Sequence, residues 1–398
     1  MPQTVSAETV RAQFPSLESG FAFLENAGGS QVPRQVFDRI NTLLSDGYVQ
    51  TGAGYPASDV VDQVVLEAKA FANVLMNGEG VGTTVIGPST TDLIYRLAHS
   101  LEFKPGDEVV ISIANHESNI GPWARLEKRG VTVKWWGVDS ETGAYSYDAL
   151  ESLLSAKTKL VAVPHTSNLL GDILDVTRVC AMVRAVGAIS VVDGVANAPH
   201  AAIDVRASGA DFYVLSLYKV FGPHIGLMFG RNERWEEVIG PNHFFFAGQI
   251  PAKFELGCQP YELLAGMLGT ADYLAWLGQG RHDRATAERA YAQIGALERP
   301  ILERLGTYLS QKPSIRLVGP TTDRHPTFSF IHKTKPSDEI VKAVNGPDLG
   351  IRYGHMYAHR LCQALGAPVE TGFVRVSAVH YNTVQEADRL IAKLEEVL

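Results

Sequence analysis

The hydrophobic pattern in the first two thirds of the chain alternates short apolar runs with helix-like stretches. Each run is rich in Val, Ile and aromatic residues and is bounded by Gly, Asp or Asn, which is typical of a buried strand. Amphipathic segments such as Tyr147–Ser155 and Thr177–Val186 separate most of the runs. Strands that are apolar on both faces and alternate with helices predict a mostly parallel sheet with helices on both sides. The strand candidates are Val109–Ile113, Val131–Trp136, Leu160–Pro164, Ile189–Asp193, Phe212–Leu215 and Ile225–Phe229.

The pattern changes after about residue 262. The stretch from Leu263 to Leu309 is rich in Ala, Leu, Glu and Arg, which favours helices. Strand-like runs follow at Thr327–Ile331 and Gly372–Ser377, and a glycine-rich turn at Gly346–Gly354 lies between them. This change predicts a second, smaller α+β domain.

The N-terminal region contains the apolar run Phe21–Glu25, a turn over Asn26–Ser30 and a helix that starts near Pro33. We expect this region to bring a loop to the functional site. A chain of 398 residues exceeds what one hydrophobic core usually organises. We therefore predict three parts: a segment over residues 1–30 that packs near the site, a large domain over 31–262 and a small C-terminal domain over 263–398.

Composition and charge narrow the classes of function. Hydrophobic residues make up 45% of the chain and charged residues 20%, which fits a globular protein. The net charge of -8 and the lack of a long Lys/Arg run argue against nucleic-acid or anionic-lipid partners. No apolar stretch reaches membrane-spanning length and no signal peptide is evident, so we predict a cytoplasmic protein. Cys180, Cys258 and Cys362 show no CxxC pairing, and the first and last lie in helix-like apolar patterns.

The first candidate for chemistry is the start of the helix through Leu93–Ser100. Ser89, Thr90 and Thr91 precede this helix, and hydroxyl groups with free amides at a helix N-terminus form an anion site. The alternative is that Ser89 or Thr90 only caps the helix.

The second candidate is Asp193, which ends a predicted strand and is followed by Gly194. A carboxylate that leaves an apolar strand costs several kcal/mol if it is unpaired, so it needs a partner. Helix capping or metal binding are the alternatives, and no nearby His or carboxylate cluster supports a metal. We therefore expect no metal site.

The third candidate is Lys219, which follows the strand Phe212–Leu215 and lies between the aromatic residues Tyr218 and Phe221. Burial there lowers the pKa of the amine and makes it available for a Schiff base. Lys219 follows Asp193 by 26 residues, about one βαβ step. An anion site, a strand-end acid and a buried Lys together predict pyridoxal phosphate (PLP), whose pyridine nitrogen would pair with the acid.

The run from Val192 through Gly226 carries Asp193-Gly, Ala210-Asp-Phe-Tyr and Ser216-x-Tyr-Lys219-x-Phe-Gly-Pro. It resembles the signature of the class V aminotransferase family, which has PLP-dependent fold type I. Within that family it is most similar to the cysteine desulfurase and selenocysteine lyase branch. The resemblance implies an α/β fold with a large domain built on a mostly parallel seven-stranded sheet, plus a smaller α+β C-terminal domain.

The resemblance also implies roles for residues elsewhere in the chain. His116 takes the place of the His that stacks on the pyridine ring, and Asn168 that of the Asn beside the ring oxygen. Arg375 corresponds to the Arg that binds the substrate carboxylate with its planar fork. A core His and a strand Arg in a surface salt bridge are the alternatives for His116 and Arg375. The loop Phe254–Gln259 resembles one that reaches the partner's phosphate site, which implies a homodimer with shared active sites.

The chain departs from the branch at positions that direct the reaction. In the segment Arg352-Tyr-Gly-His355-Met-Tyr357, the tyrosine stands where desulfurases carry the mobile persulfide-forming Cys. A Tyr can donate or accept a proton but cannot form a persulfide. Ala196 stands where a Gln is expected, Tyr218 replaces a His, and Cys258 replaces a Thr.

We therefore predict an enzyme that acts on an amino acid through a Lys219 Schiff base. The favoured reaction is cleavage at the substrate β-carbon without a persulfide cysteine, partly because no second carboxylate-reader for a keto acid is obvious. An aminotransferase or an amino-acid epimerase is the alternative, and a true cysteine desulfurase or a non-catalytic descendant is less favoured. The predicted catalytic residues are Lys219, His116 and Tyr357. The predicted cofactor-binding residues are Ser89, Thr90, Thr91, His116, Asn168, Asp193, Ser216, Tyr218, Lys219 and Cys258. The predicted substrate-binding residues are Asn26, Ala27, Arg352, His355 and Arg375.

Overall fold

The computed structural model describes residues 5–398. The strands are β1 Ala22–Phe23, β2 Gly82–Gly87, β3 Glu108–Ser112, β4 Thr132–Trp136, β5 Thr158–Pro164, β6 Ile189–Asp193, β7 Phe212–Ser216, β8 Gly226–Arg231, β9 Ile315–Val318, β10 Thr327–His332, β11 Leu349–Gly350, β12 Arg352–Gly354 and β13 Phe373–Ser377. The α-helices are α1 Ala7–Arg11, α2 Arg34–Asp46, α3 Pro56–Met76, α4 Thr90–Ser100, α5 Gly121–Ala124, α6 Tyr147–Leu153, α7 Val176–Ala185, α8 Val205–Ser208, α9 Asn232–Glu237, α10 Tyr261–Leu277, α11 Arg284–Ser310, α12 Ser337–Val344, α13 His359–Ala364 and α14 Val384–Val397.

The larger sheet has seven strands in the order β2-β8-β7-β6-β5-β3-β4. All neighbouring pairs from β7 to β4 are parallel, and β8 alone runs antiparallel to both of its neighbours. The prediction of a mostly parallel seven-stranded sheet is therefore confirmed. Because β5, β6 and β7 run in the same direction, their carboxyl ends meet at one edge of the sheet, where open α/β sheets bind their ligands.

The strand β2 was missing from the sequence-based candidates. Its sequence, Gly-Thr-Thr-Val-Ile-Gly, has only two strongly apolar residues between two glycines. The segment is nevertheless almost entirely buried, because it lies against β8 over its whole length. Its partner in the sheet, and not its own pattern, makes it a strand.

Helices cover both faces of this sheet and bury its apolar side chains. One cluster joins the sheet to α3, α7, α10 and the first half of α11, and a second joins the other face to α4 and α9. The predicted helical stretch after residue 262 consists of α10 and α11, separated by a break. Helix α10 packs in the core of the large sheet. The predicted domain boundary between residues 262 and 263 stays a prediction.

The smaller sheet is antiparallel, with the order β12-β13-β10-β9. It packs against α12, α14 and the second half of α11 around a separate apolar core. The predicted strands at residues 327–331 and 372–377 are present, and the smaller C-terminal α+β unit is confirmed. The predicted turn over residues 346–354 is wrong in part, since it contains β11 and β12, whose backbones pair with β1 and β13.

No helix in the described range 5–398 is both long enough and apolar enough to cross a membrane.

Two glycines inside helices allow a matched test of this packing. A Cβ on Gly269 of α10 would lie 2.5 Å from the Val36 Cα of α2, whereas a Cβ on Gly295 of α11 would meet no atom within 4 Å. Gly269→Ala should therefore lower the free energy of unfolding by about 1–3 kcal/mol through overpacking. Gly295→Ala should raise it by about 0.5–1 kcal/mol because Ala loses less backbone entropy in a helix. Urea unfolding of both variants would measure the difference, and equal effects of the two would contradict this packing.

Candidate active site

A cavity opens where β5, β6 and β7 end. Every predicted cofactor-binding residue except Cys258 lines this cavity, together with five residues that sequence reasoning did not select. The lining consists of Ser89, Thr90, Thr91, His116, Ser118, Pro164, Thr166, Asn168, Asp193, Val195, Ala196, Ser216, Tyr218 and Lys219.

The start of α4 forms one end of the cavity. Ser89 is the N-cap, and its Oγ accepts the Asp92 amide at 3.1 Å, so the capping interpretation is correct for this residue. The Thr90 and Ser216 hydroxyl oxygens lie 2.7 Å apart, which joins the helix start to the end of β7. A Cβ on Gly226 would lie 2.5 Å from the Thr90 amide nitrogen, so only glycine allows α4 to approach β8 this closely. Hydroxyl groups at a helix N-terminus can hold a phosphate here.

Asp193 lies at the buried floor of the cavity. Its Oδ1 accepts the Val195 amide at 3.0 Å, and burial raises the pKa of the carboxyl group. Asp193 forms no ion pair with any residue in the range 5–398, although Lys219 nearby partly offsets the effect of burial. A cationic ring nitrogen would stabilise the ionised form.

Lys219 ends the short 3-10 helix Leu217–Lys219 that follows β7, and its side chain is buried. Burial, with a contribution from the Arg375 charge, lowers the pKa of the amine to about 8. A larger share of the amine is therefore neutral at physiological pH than for an exposed lysine. A neutral amine at the carboxyl edge of the sheet is a nucleophile for a carbonyl group.

His116 and Tyr218 contribute rings to the cavity. Burial lowers the pKa of His116 to about 3, and its Nδ1 accepts the Ser118 amide at 3.1 Å. The imidazole is therefore neutral and keeps its proton on Nε2. Tyr218 stacks on His224 with 4.6 Å between the ring centroids. The flat, neutral face of His116 suits stacking on a planar ring.

Asn168 and Thr166 each place in the cavity wall a polar atom that has no hydrogen-bond partner among the described residues. The Asn168 Nδ2 donates to the Met356 carbonyl at 2.8 Å, whereas its Oδ1 is buried without a hydrogen-bond partner among the described residues. The Thr166 hydroxyl is likewise buried and has no partner in that range. Thr166 was missed, although its position two residues before Asn168 in the same segment is a usable signal.

Arg375 lies beside the cavity on β13 and is fully buried. One of its Nη atoms donates to the Asn168 carbonyl at 3.1 Å, but its Nε has no partner among residues 5–398. Burial lowers the pKa of the guanidinium to about 10. Arg352 is its cross-strand neighbour and pairs with Glu25 at 3.4 Å. A buried guanidinium with an unused donor is complementary to a carboxylate.

Tyr357 lies in a tight turn beside His116, with 5.1 Å between the ring centroids. Met356 and Tyr357 both have left-handed backbone angles, with φ of 47° and 61°. The Met356 carbonyl accepts from Asn168, and the Tyr357 carbonyl accepts the Glu117 amide at 2.8 Å. His355 Nδ1 accepts the Tyr357 amide at 3.1 Å. Backbone strain of this kind concentrates at functional sites.

Asn26, Ala27 and Cys258 are among the predicted site residues that do not line the cavity. The Asn26 amide group binds the Phe23 and Ser377 carbonyls, and the Ala27 amide donates to the Ser377 hydroxyl at 2.8 Å. These contacts attach the N-terminal loop to β13. Cys258 is exposed, and its Sγ lies 3.6 Å from Gln50 Oε1.

The other two cysteines are packed inside the protein. Cys180 and Cys362 are both buried, in α7 and α13. Burial raises the pKa of the Cys180 thiol to about 11 and that of the Cys362 thiol to about 12. Both thiols are therefore protonated and unreactive at neutral pH.

Comparisons with known proteins agree on one family. The sequence profile described as Aminotransferase class-V matches residues 22–390. The aminotransferase-like protein FGM3 of Gibberella zeae is 40% identical, and the alignment covers 99% of this chain and 98% of that protein. A cysteine desulfurase of Pectobacterium carotovorum is 29% identical, with 98% of this chain and 97% of that protein covered.

A solved structure also shares the fold. The apo cysteine desulfurase from Thermococcus onnurineus superposes with a TM-score of 0.89 at 22% identity, over 100% of this chain and 99% of that one. The seven-stranded sheet and the smaller antiparallel sheet together make up this shared fold. The chain therefore belongs to the class V aminotransferase family of PLP-dependent enzymes, and it is similar to the cysteine desulfurase branch of that family.

Proposed function

We propose that the protein uses PLP bound at Lys219 to cleave a substituent from the β-carbon of an amino acid, without a persulfide cysteine. The supporting observation is the Tyr357 turn. At the place of the mobile thiol stands Tyr357, whose carbonyl accepts the Glu117 amide, and the carbonyl of the preceding Met356 accepts from Asn168. A transaminase or an epimerase is the second candidate, because it would use the same lysine and the same carboxylate-binding Arg375.

The residues of the cavity fit PLP. The α4 N-terminus with Thr90 and Ser216 would hold the phosphate, and Asp193 would hold the pyridine nitrogen. His116 would cover one face of the ring. The close approach of the α4 N-terminus to Gly226 favours this placement, and so does the acid at the cavity floor, which forms no ion pair among residues 5–398. When bound, PLP withdraws electrons from the substrate α-carbon.

The protein's own groups would then direct the reaction. Arg375 would bind the substrate carboxylate and so orient the α-carbon toward Lys219. The Lys219 Nζ would accept the α-proton, because its lowered pKa leaves a larger share of the amine neutral than in an exposed lysine. Tyr357 Oη, on a side chain that is 63% exposed, would donate a proton to the leaving group. His116 would position the ring and would not act as a base, since its Nδ1 is occupied and its pKa is about 3.

The proposal also includes a homodimer. Large apolar side chains are exposed on or near α2, α3 and the loop before α10, among them Phe37, Leu44, Tyr48, Tyr55, Val60, Leu66 and Leu256. Several exposed apolar side chains on neighbouring elements favour an interface with another chain. Cys258 and the loop over residues 254–259 lie at the same face, since Cys258 contacts Gln50. A second copy there would receive this loop at its own phosphate site.

Attachment of the cofactor is expected to follow the ionisation of Lys219. The purified protein should be yellow, and borohydride should fix the cofactor to Lys219, as judged by peptide mass spectrometry. Because the neutral amine reacts, the rate of attachment to stripped protein should rise with pH and level off above about 8. A rate that keeps rising toward the ordinary lysine value of about 10.4 would contradict the buried amine. A reducible adduct that persists in Lys219→Ala would contradict the assignment.

Removal of all three thiols tests the absence of a persulfide step. The variant with Cys180, Cys258 and Cys362 each replaced by Ala or Ser should keep its turnover if it folds, because two thiols are buried and none occupies the position of Tyr357. Cys362→Ala serves as the single-residue control. Loss of activity in Cys362→Ala with an unchanged cofactor spectrum would overturn the proposal and favour a true desulfurase.

Disruption of the exposed apolar face tests the dimer. Leu66→Glu places a charge on that face, whereas Ile173→Glu places one at an exposed apolar position elsewhere. Sedimentation should show a dimer for the native protein and for Ile173→Glu, and a larger monomer fraction with weaker PLP binding for Leu66→Glu. A monomer that binds PLP fully would contradict the shared site.

A further inference from the structure

A second, more open cleft lies beside the cofactor cavity. Its lining consists of Glu117, His355, Tyr357, His359, Arg360 and Gln363. The two spaces meet at neighbouring rings, because His116 lines the first and Tyr357 lines the second, with 5.1 Å between their centroids. A ligand in the cofactor cavity therefore has this cleft as its neighbour.

A chain of hydrogen bonds joins the cleft to the carboxylate-binding arginine. Arg375 donates to the Asn168 carbonyl, and the Asn168 amide donates to the Met356 carbonyl, next to Tyr357. An amino acid whose α-carboxylate is held by Arg375 would thus lie close to the Tyr357 turn. A longer side chain can pass this turn and enter the cleft.

Arg360 is the guanidinium in this cleft, and it forms no ion pair with any residue in the range 5–398. Its Cζ lies 4.3 Å from the centre of the Trp135 ring, and its Nε is buried without a hydrogen-bond partner in the same range. Stacking on Trp135 holds the planar group in one orientation. A fixed fork with unused donors is suited to a carboxylate.

The other polar groups of the cleft also favour a carboxylate ligand near Arg360. His355 and His359, with ring centroids 5.5 Å apart, and the Gln363 amide can supply further donors. Glu117 is the single acidic residue among the lining groups. Its backbone amide donates to the Tyr357 carbonyl, and its carboxylate would repel a ligand of the same charge. The carboxylate of a ligand is therefore expected on the Arg360 side.

We propose that this cleft is a subsite for a carboxylate group, with Arg360 as its main ligand. The inference rests on the proposed function and extends it to the class of substrate. The carboxylate belongs either to the side chain of the amino acid or to a separate carboxylic acid that takes part in the reaction. An arginine in α13, eight residues after Arg352, gave no sign of this role in the sequence.

The test compares acids with their uncharged amides on the PLP-loaded protein. Aspartate and glutamate would be titrated against asparagine and glutamine by the change in cofactor absorbance, and succinate against succinamate by calorimetry. Arg360→Met should weaken binding of the acids by about 10- to 100-fold and leave the amides unchanged, because only the acids lose a charge-assisted pair. A loss confined to the acidic amino acids identifies the side chain as the source, and a loss confined to succinate identifies a separate acid.

Three control variants separate recognition from structure. Arg178→Met removes an arginine that is stacked on Tyr147 in the same manner, with 4.0 Å to the ring centre, but lies outside both cavities, so it should change neither class of ligand. Arg360→Lys keeps the charge without the fork and should retain part of the preference. Glu117→Gln should strengthen binding of the acids, since it removes a like charge.

The contrary outcomes are distinct. Equal losses for acids and amides in Arg360→Met, unchanged binding of both, or weaker binding of the acids in Glu117→Gln would overturn the subsite. Calorimetry does not depend on cofactor absorbance. A protein that binds succinate through Arg360 but never takes up PLP would therefore refute the proposed function and leave the subsite standing.

Discussion

The active site depends on the burial of three ionisable side chains at one edge of the large sheet. Asp193, Lys219 and Arg375 lie where water cannot stabilise their charged forms. Burial therefore shifts the pKa of each group in the direction that favours its uncharged form. Such groups cost several kcal/mol when they remain charged without partners. The charged groups of PLP and an amino acid are complementary to all three. Under the proposed function, the same burial that costs stability would provide an acid for the ring nitrogen, a nucleophilic amine and a carboxylate-binding fork.

The surrounding architecture keeps these groups in place. Asp193 and Lys219 follow adjacent parallel strands, and close packing of α4 on Gly226 brings the phosphate end to the same edge. Arg375 arrives from the smaller sheet, so the site is complete only when the two units pack together. The Met356 and Tyr357 turn links them through hydrogen bonds to Asn168 and Glu117. A turn held by these hydrogen bonds favours a proton donor at a fixed position, such as Tyr357, over a nucleophile on a mobile loop.

Much of this organisation could be predicted because its causes are local. A strand buried on both faces must be apolar along its whole length, so six of the seven large-sheet strands were predicted to within about two residues at each end. A lone acid or lysine at the end of such a strand is costly, so Asp193 and Lys219 were evident as candidates. The match to family motifs added Arg375, His116 and Asn168, which do not follow from hydrophobic pattern. Strand β2 was missed because its burial depends on β8 and not on its own side chains.

The amino-acid sequence by itself determined the alternation of elements and the strand-end candidates, and its resemblance to the desulfurase branch predicted Tyr357 at the position of the mobile cysteine. Tertiary structure decided what those residues touch. It committed Asn26 to internal hydrogen bonds, kept Cys258 outside the cavity of its own chain, and brought Arg360 and Glu117 to the same cleft. These outcomes depend on residues more than a hundred positions apart. Their contacts arise from the packing of distant segments against each other, and such packing cannot be predicted from a local pattern of side chains.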